Sequence, residues 1–144
     1  MAKGYPDYFG QSVFPKYGPM TILSSLVPLI GAGTTTLVTV DGQGNLSYLE
    51  LNMISAAGLT SAQFAMYIDG SKIQDMNLQF MMDRAIVVGS NQPLVLSYAK
   101  LIDYTFQIEL SHALPYGLSF KLTVQTGAIE NALVSVRAGY HSVL

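Results

Sequence analysis

The residues best suited to chemistry in this chain are its two histidines, His112 and His141. Neither stands at a metal-binding spacing from a second strong ligand. Ser111 and His112 are adjacent, so on a strand their side chains would point to opposite faces, a poor arrangement for a nucleophile and its base. No G-x-S-x-G motif surrounds any serine. The sequence therefore predicts ordinary loop or strand-end roles for both histidines and argues against a Ser-His-acid hydrolase.

The carboxylates and the glycine-rich segments give no stronger signal for a catalytic or metal site. Residues 41–45 have a faint likeness to a calcium loop but lack its alternating ligands and distal glutamate. Residues 31–36 lack the Gly-Lys-Ser/Thr ending and the following helix of a phosphate-binding loop. We therefore expect no enzyme activity, no metal site and no cofactor. The acidic residues are spread singly along the chain: Asp7, Asp41, Glu50, Asp69, Asp75, Asp83, Asp103, Glu109 and Glu130.

The composition favours a protein that buries surface against other proteins. Half of the 144 residues are hydrophobic and only 11% are charged, against about a quarter in an ordinary soluble domain. Interface cores are depleted in Lys, Glu and Asp, so this low charge leaves room for a large interface. The net charge of -2 comes from scattered residues, so no positive field is expected that would attract phosphate groups. We therefore expect self-association and no nucleic acid partner.

No segment of the sequence is expected to enter a membrane. The longest apolar run, residues 20–30, contains Ser24, Ser25 and Pro28 and falls short of the roughly 18 residues that a membrane helix needs. The first residues lack the order of a signal peptide, so we expect the mature chain to begin near Met1. The absence of cysteine excludes disulfides and thiol nucleophiles.

Alternation of apolar and polar residues with a period of two dominates the chain. Residues 104–110 and 118–124 alternate throughout, which predicts strands with one buried face. The same pattern in residues 64–68 runs into Asp69-Gly70, a pair typical of the type I′ turn of a β-hairpin. We therefore predict a strand reversal at Asp69-Gly70.

Further strands are predicted on both sides of these segments. Residues 34–40 and 46–53 flank the turn at 41–45, which predicts a second hairpin, and residues 20–27, 94–102 and 133–140 also suit strands. Residues 74–88 suit either a helical stripe of Met76, Phe80 and Met81 or a strand face of Met76, Leu78 and Phe80; we favour the strand. About eight short strands predict an all-β, antiparallel β-sandwich, with the jelly roll as one form of it. The predicted core comprises Leu46, Phe64, Met66, Ile68, Phe106, Ile108, Leu118, Phe120, Leu122 and Val134.

Residues 1–20 differ from the single sandwich domain predicted for residues 21–144. Prolines and glycines interrupt the segment and neither periodicity is present, so we expect an irregular, extended arm. Five aromatic side chains give the arm apolar area that needs a surface to cover. Two alternatives stay open: the arm covers its own sandwich, or it docks on a neighbouring subunit, where Tyr and Phe are typical anchors. The predicted partner-binding residues are Tyr5, Tyr8, Phe9, Phe14 and Tyr17.

Four segments together resemble β-sandwich, jelly-roll-like virion structural proteins of tailed bacteriophages. They are residues 44–49, residues 64–70 with their closing Ile-Asp-Gly, residues 117–124 and residues 132–140; the aromatic arm is similar to the subunit-linking arms of those proteins. The resemblance implies a capsid decoration, vertex or tail-accessory protein. It also implies assembly with itself and with another virion protein, synthesis in the host cytoplasm and a final location in the virion.

Two other functions are compatible with the same pattern. The first is a carbohydrate- or receptor-binding sandwich, for which exposed tyrosines would serve, although the sequence has no Trp, the strongest stacking residue. The second is a small barrel that encloses an apolar ligand, which the strand number allows.

Overall fold

The computed structural model describes residues 16–29, 32–54, 62–84, 86, 91–100, 105–127 and 132–144. These residues form two antiparallel sheets and one short helix, so the predicted all-β antiparallel sandwich is confirmed. The elements are β1 (Tyr17–Leu29), β2 (Gly33–Asp41), β3 (Gly44–Ile54), β4 (Gln63–Ile68), β5 (Ser71–Asn77), α1 (Leu78–Asp83), β6 (Leu94–Lys100), β7 (Thr105–Leu110), β8 (Leu114–Tyr116), β9 (Ser119–Thr126) and β10 (Ala132–Val143).

The larger sheet has the order β1-β10-β3-β7-β6, with β8 also paired to β3, and the smaller sheet has the order β2-β9-β4-β5. Strands β1 and β2 therefore lie at edges of their sheets, as do β5 and β6. Two antiparallel sheets of this kind bury their inner faces against each other and leave their outer faces to solvent.

The core lies between the sheets and follows the predicted alternation. Phe64, Phe106 and Phe120 are fully buried, together with most of the other predicted core residues, and Ile68 packs at the margin of the core. The prediction was wrong for Leu118, whose side chain is 71% exposed. Leu118 continues the alternation in sequence, but β9 begins only at Ser119, so Leu118 lies in the preceding bend.

The predicted hairpin at Asp69-Gly70 is confirmed, because it joins the paired strands β4 and β5. Both turn residues have positive φ, 53° at Asp69 and 82° at Gly70, as a type I′ turn requires. The Asp69 carboxylate also accepts hydrogen bonds from the backbone N–H groups of Gly117 at 2.9 Å, Leu118 at 2.6 Å and Ser119 at 3.1 Å. The turn therefore fixes the loop that leads into β9.

The prediction of a second hairpin at residues 41–45 was wrong. Strands β2 and β3 follow each other closely, yet β2 pairs with β9 in the smaller sheet and β3 pairs with β10, β7 and β8 in the larger one. The Gly42 N–H donates to the Leu118 carbonyl at 2.7 Å, which holds the connection near β9. The turn thus links the two sheets, because the apolar faces of β2 and β3 meet across the core instead of side by side.

Within residues 74–88, for which a strand was predicted, the described part changes from strand to helix at Leu78. Met76 lies in β5, as the strand prediction required, but Leu78 and Phe80 belong to helix α1. The side-chain oxygen of Asn77 accepts a hydrogen bond from the Phe80 N–H at 2.7 Å and caps the helix. The helix buries Leu78 and Met81 and leaves Phe80 largely exposed.

Candidate interaction surface

The two sides of the sandwich at which the sheet edges lie differ from each other, and the side of β5 and β6 is closed. Gln74 of β5 is buried, and its amide makes two hydrogen bonds to the backbone of Leu94 in β6. Its nitrogen donates to the Leu94 carbonyl at 2.9 Å, and its oxygen accepts from the Leu94 N–H at 2.7 Å. Helix α1 contacts the same two strands. This side chain therefore bridges the edges of the two sheets.

In the part of the chain that the structure describes, the opposite side, between β1 and β2, is open. A cleft of about 200 Å³ lies between these two edge strands. Leu23 and Ser25 of β1, Leu37 and Val38 of β2 and Val136 of β10 contribute to its lining. Part of the apolar interior therefore reaches the surface along this side.

Strand β1 is exposed on both of its faces and has no charged residue. Every residue from Pro19 to Leu26 is exposed. The most exposed apolar side chains in this stretch are Ile22 at 55% and Leu26 at 65%. A long, apolar edge strand is a template for pairing with another chain unless charges or bulges protect it. We name residues 19–28 of β1, all exposed except the half-buried Val27, the β1 edge.

Side chains of the β1 edge divide between the two faces of the larger sheet. On β10, Val134, Val136 and Ala138 are buried, whereas Leu133, Ser135 and Arg137 are exposed. Residues paired across two antiparallel strands share a face, so the register assigns β1 side chains to these two faces. The inner face carries Thr21, Leu23, Ser25 and Val27, and the outer face carries Met20, Ile22, Ser24, Leu26 and Pro28.

The backbone of the β1 edge has hydrogen-bonding groups directed away from the sheet. In β10, the Val143 N–H donates to Gln43 on the β3 side, and the Leu144 N–H that follows donates to Lys16 on the β1 side. Because this alternation continues along β10, the backbone groups of its even-numbered residues point to β1. From Met20 onward these residues pair with odd-numbered residues of β1, so the backbone groups of the even-numbered residues of β1 point outward, away from the sheet. Pro28 falls in this outward set, where its missing N–H removes no bond to β10.

Contacts with the end of β10 fix the beginning of β1. His141 Nδ1 lies 2.9 Å from the Gly18 carbonyl oxygen, and the Leu144 N–H donates to the Lys16 carbonyl at 2.8 Å. A Cβ at Gly139 would stand 3.0 Å from Met20 Sδ, so glycine lets the methionine lie across the sheet. His141 therefore has a positioning role at a strand end, as the sequence predicted.

A polar cluster lies on the outer face of the larger sheet, nearer to the centre of the sheet than the β1 edge. Glu50 accepts hydrogen bonds from the Tyr48 hydroxyl and, at 2.7 Å, from the Asn52 side chain, and it is paired in register with Arg137 and Glu109. The hydrogen bonds from Tyr48 and Asn52 lower the pKa of Glu50, with a smaller contribution from Arg137. The bond to Glu50 also raises the pKa of Tyr48. Charge is thus held in the centre of this face, and the edge is left neutral.

Ser111 and His112 are closer than the sequence predicted. Strand β7 ends at Leu110, so both residues lie in a bend, and Ser111 Oγ is 2.8 Å from His112 Nδ1. The argument that they point to opposite faces was therefore wrong. The Ser111 hydroxyl donates to the Gln92 carbonyl at 2.5 Å, so its single hydrogen is directed to the backbone and away from the imidazole.

Other sequence-predicted features are only partly described by the structure. Within the described residues, no group of three or more His, Cys, Asp or Glu side chains could hold a metal ion, and no helix there is long and apolar enough to cross a membrane. Of the predicted partner-binding residues, Tyr5, Tyr8, Phe9 and Phe14 lie outside the described part of the chain. Tyr17 is described, is largely exposed and begins β1.

The predicted arm was assigned residues up to 20, yet residues 17–20 lie in strand β1. The reason is the partner strand, because Tyr17 pairs with Val143 and Met20 with His141 in spite of the intervening Gly18 and Pro19. Sequence reasoning also missed the β1 edge itself. Its signal was the uncharged apolar run of residues 20–30, which was considered as a membrane segment and, over residues 20–27, as a strand, but not as an exposed edge.

The fold and surface define an antiparallel β-sandwich with one closed and one open side. No protein-family model and no curated protein matches the chain. Among solved structures, the chain is similar to a chain in the crystal structure of the infectious bursal disease virus VP2 subviral particle, with a TM-score of 0.42 and 15% sequence identity. The match covers 89% of this chain and 34% of that chain, so this protein spans about a third of its length. We draw no conclusion about function from a likeness at this score.

Proposed function

We propose that this protein is a structural component of a virion, of the capsid decoration, vertex or tail-accessory kind, and that it assembles through protein-protein contacts. The single observation behind the proposal is the β1 edge, a strand that is uncharged, exposed on both faces and, within the described residues, paired along one side only. Burial of such an edge against another chain would remove its unpaired backbone groups and its apolar side chains from water together.

Two features of the chain support an assembly role. Charged residues make up only 11% of the sequence. On the outer face of the larger sheet, Glu50 and Arg137 lie on β3 and β10 and not on the edge strand β1. The opposite side of the sandwich is closed by Gln74 and helix α1. The surface for a partner therefore lies on one side of the molecule, as the contact surface of a shell component would. The carbohydrate-binding alternative stays a prediction.

The virion role is tested by the composition of purified particles. Quantitative mass spectrometry of virus particles from the source of this sequence should find the chain at a fixed ratio to the main shell protein, and the ratio should survive a salt wash because the contact is apolar. Absence of the chain from particles whose host cell contains it would contradict the role.

A further inference from the structure

We propose that the partner of the β1 edge is a second copy of this chain, with the two β1 strands paired antiparallel about a two-fold axis at Ser24. The inference rests on the proposed role of the β1 edge and adds the partner and the register. The two larger sheets would then form one continuous sheet across the axis.

Symmetry limits how two β1 edges can pair. A two-fold axis perpendicular to the sheet is the arrangement that makes two edge strands antiparallel neighbours, and it keeps inner face beside inner face. Residues that meet across the axis must therefore have numbers of the same parity. The outward-directed backbone groups belong to the even-numbered residues, so the hydrogen-bonded pairs must be formed between even-numbered residues of the two copies.

A centre at Ser24 satisfies these conditions and matches the side chains. Ser24 would lie opposite Ser24 of the second copy, Ile22 opposite Leu26, and Met20 opposite Pro28. The two most exposed apolar side chains of the strand segment, Ile22 and Leu26, would thus cover each other twice, once on either side of the axis. A centre at Ser25 would instead place Leu26, the most exposed of these side chains, opposite Ser24 and Ile22 opposite Pro28, so that Ile22 and Leu26 would no longer cover each other.

The ends of the strand and the nearby charges fit the same register. Pro28, four residues after Ser24, lacks the N–H that a longer ladder would need, and the irregularity between Tyr17 and Met20 interrupts the strand on the other side of Ser24. Arg137, the nearest charge on the outer face, is paired with Ser24. Its copy would be three strand spacings away, about 14 Å, which exceeds the Debye length at physiological salt. Among the described residues of the outer face, no charge repulsion therefore opposes the pairing.

The absence of cysteine from the sequence allows a direct test by disulfide formation. In the proposed register the two Ser24 Cα atoms would be about 5.5 Å apart, within the range that a disulfide spans. The variant Ser24→Cys, oxidised with glutathione disulfide at micromolar concentration, should form a covalent dimer on a non-reducing gel. The yield should exceed that of a collision-limited pair by about tenfold or more.

Two cysteine variants serve as matched controls. Ser135→Cys places an equally exposed thiol on β10, in the residue paired with Leu26, where the copies would be at least about 14 Å apart and could not be bridged. Ser25→Cys lies in the same strand but away from the axis. Melting curves of the reduced variants should match that of the original chain, so that folding is not the variable.

Each outcome supports or overturns the inference. Rapid crosslinking of Ser24→Cys alone supports the register. Crosslinking of Ser25→Cys in preference to Ser24→Cys would overturn the centre, and no crosslinking of either would overturn pairing between copies. If neither cysteine variant crosslinks and deletion of residues 1–15 abolishes association, the result would indicate that residues 1–15 of a neighbouring copy bind the β1 edge. The chain could still be present at a fixed ratio in particles, so failure of this inference is separable from failure of the virion role.

Discussion

The bridge made by Gln74 gives a quantitative test of how the closed side of the sandwich is held. The substitution Gln74→Met keeps the length of the side chain but removes both hydrogen bonds to Leu94. Both residues are buried, at 5% and 2% exposure, so water has little access to the Leu94 backbone groups that lose their partners. A buried group left without a hydrogen bond costs about 1–3 kcal/mol. Since two groups are affected and the methionine regains some apolar burial, we expect a loss of about 2–4 kcal/mol.

For a domain of this length, each kcal/mol lowers the melting temperature by roughly 2–4 °C. Thermal unfolding followed by circular dichroism should therefore show the Gln74→Met transition roughly 5–15 °C below that of the original chain. The matched control is Gln125→Met, at an exposed position of β9 in the same sheet, which should change stability by less than about 0.5 kcal/mol. Equal melting temperatures for the two variants would refute the bridging role of Gln74.

Three further predictions concern the turn and the core. Backbone N–H groups of Leu118, Ser119 and Gly117 lower the pKa of Asp69 below its ordinary value of 3.8, so its contribution to stability is present above pH 3.8 and is lost as pH falls through the lowered value. Asp69→Asn, which tolerates the positive φ, should lower stability at pH 7 and weaken its decline in acid titrations; an unchanged acid profile would contradict this. The buried Tyr116 hydroxyl has no hydrogen-bond partner in the described part of the chain, so Tyr116→Phe should leave the melting temperature unchanged or raise it, and a clear fall would show that the hydroxyl is satisfied. Phe106→Ala should cost about 3–5 kcal/mol in denaturant unfolding because its ring is fully buried, and melting like the original chain would refute its place in the core.

Strands and the tight β4–β5 turn were predictable because their signals are local. Alternation over a few residues identifies a half-buried strand wherever it lies in the fold, and Asp-Gly supplies the positive φ values that the turn at Asp69 needs. The same locality explains the errors. No local signal in residues 41–45 indicates that β2 and β3 belong to different sheets. The alternation that includes Leu118 begins one residue before Ser119, where β9 and its pairing with β2 begin.

Features of the candidate surface depend on sheet order, which the sequence does not display. Residues 20–27 have the sequence pattern of an apolar strand, but the exposure of the β1 edge follows from the position of β1 at the margin of its sheet, on the same side as the equally peripheral β2. The bridge from Gln74 to Leu94 likewise spans twenty residues and forms because β5 and β6 lie at edges on the same side. A buried glutamine is indistinguishable in sequence from a solvated one until its partner strand is known.

The solution mass of the intact chain tests most directly the claim that the β1 edge drives assembly. Light scattering coupled to size-exclusion chromatography should find a mass of at least twice the 15.6 kDa of one chain. The double variant Ile22→Lys and Leu26→Lys should be monomeric and should still unfold in one cooperative transition, because it adds charge only to exposed positions of the edge. Leu118→Lys, at an exposed apolar residue outside the edge, should keep the higher mass. A monomeric original chain, or a double variant that stays assembled, would contradict the account.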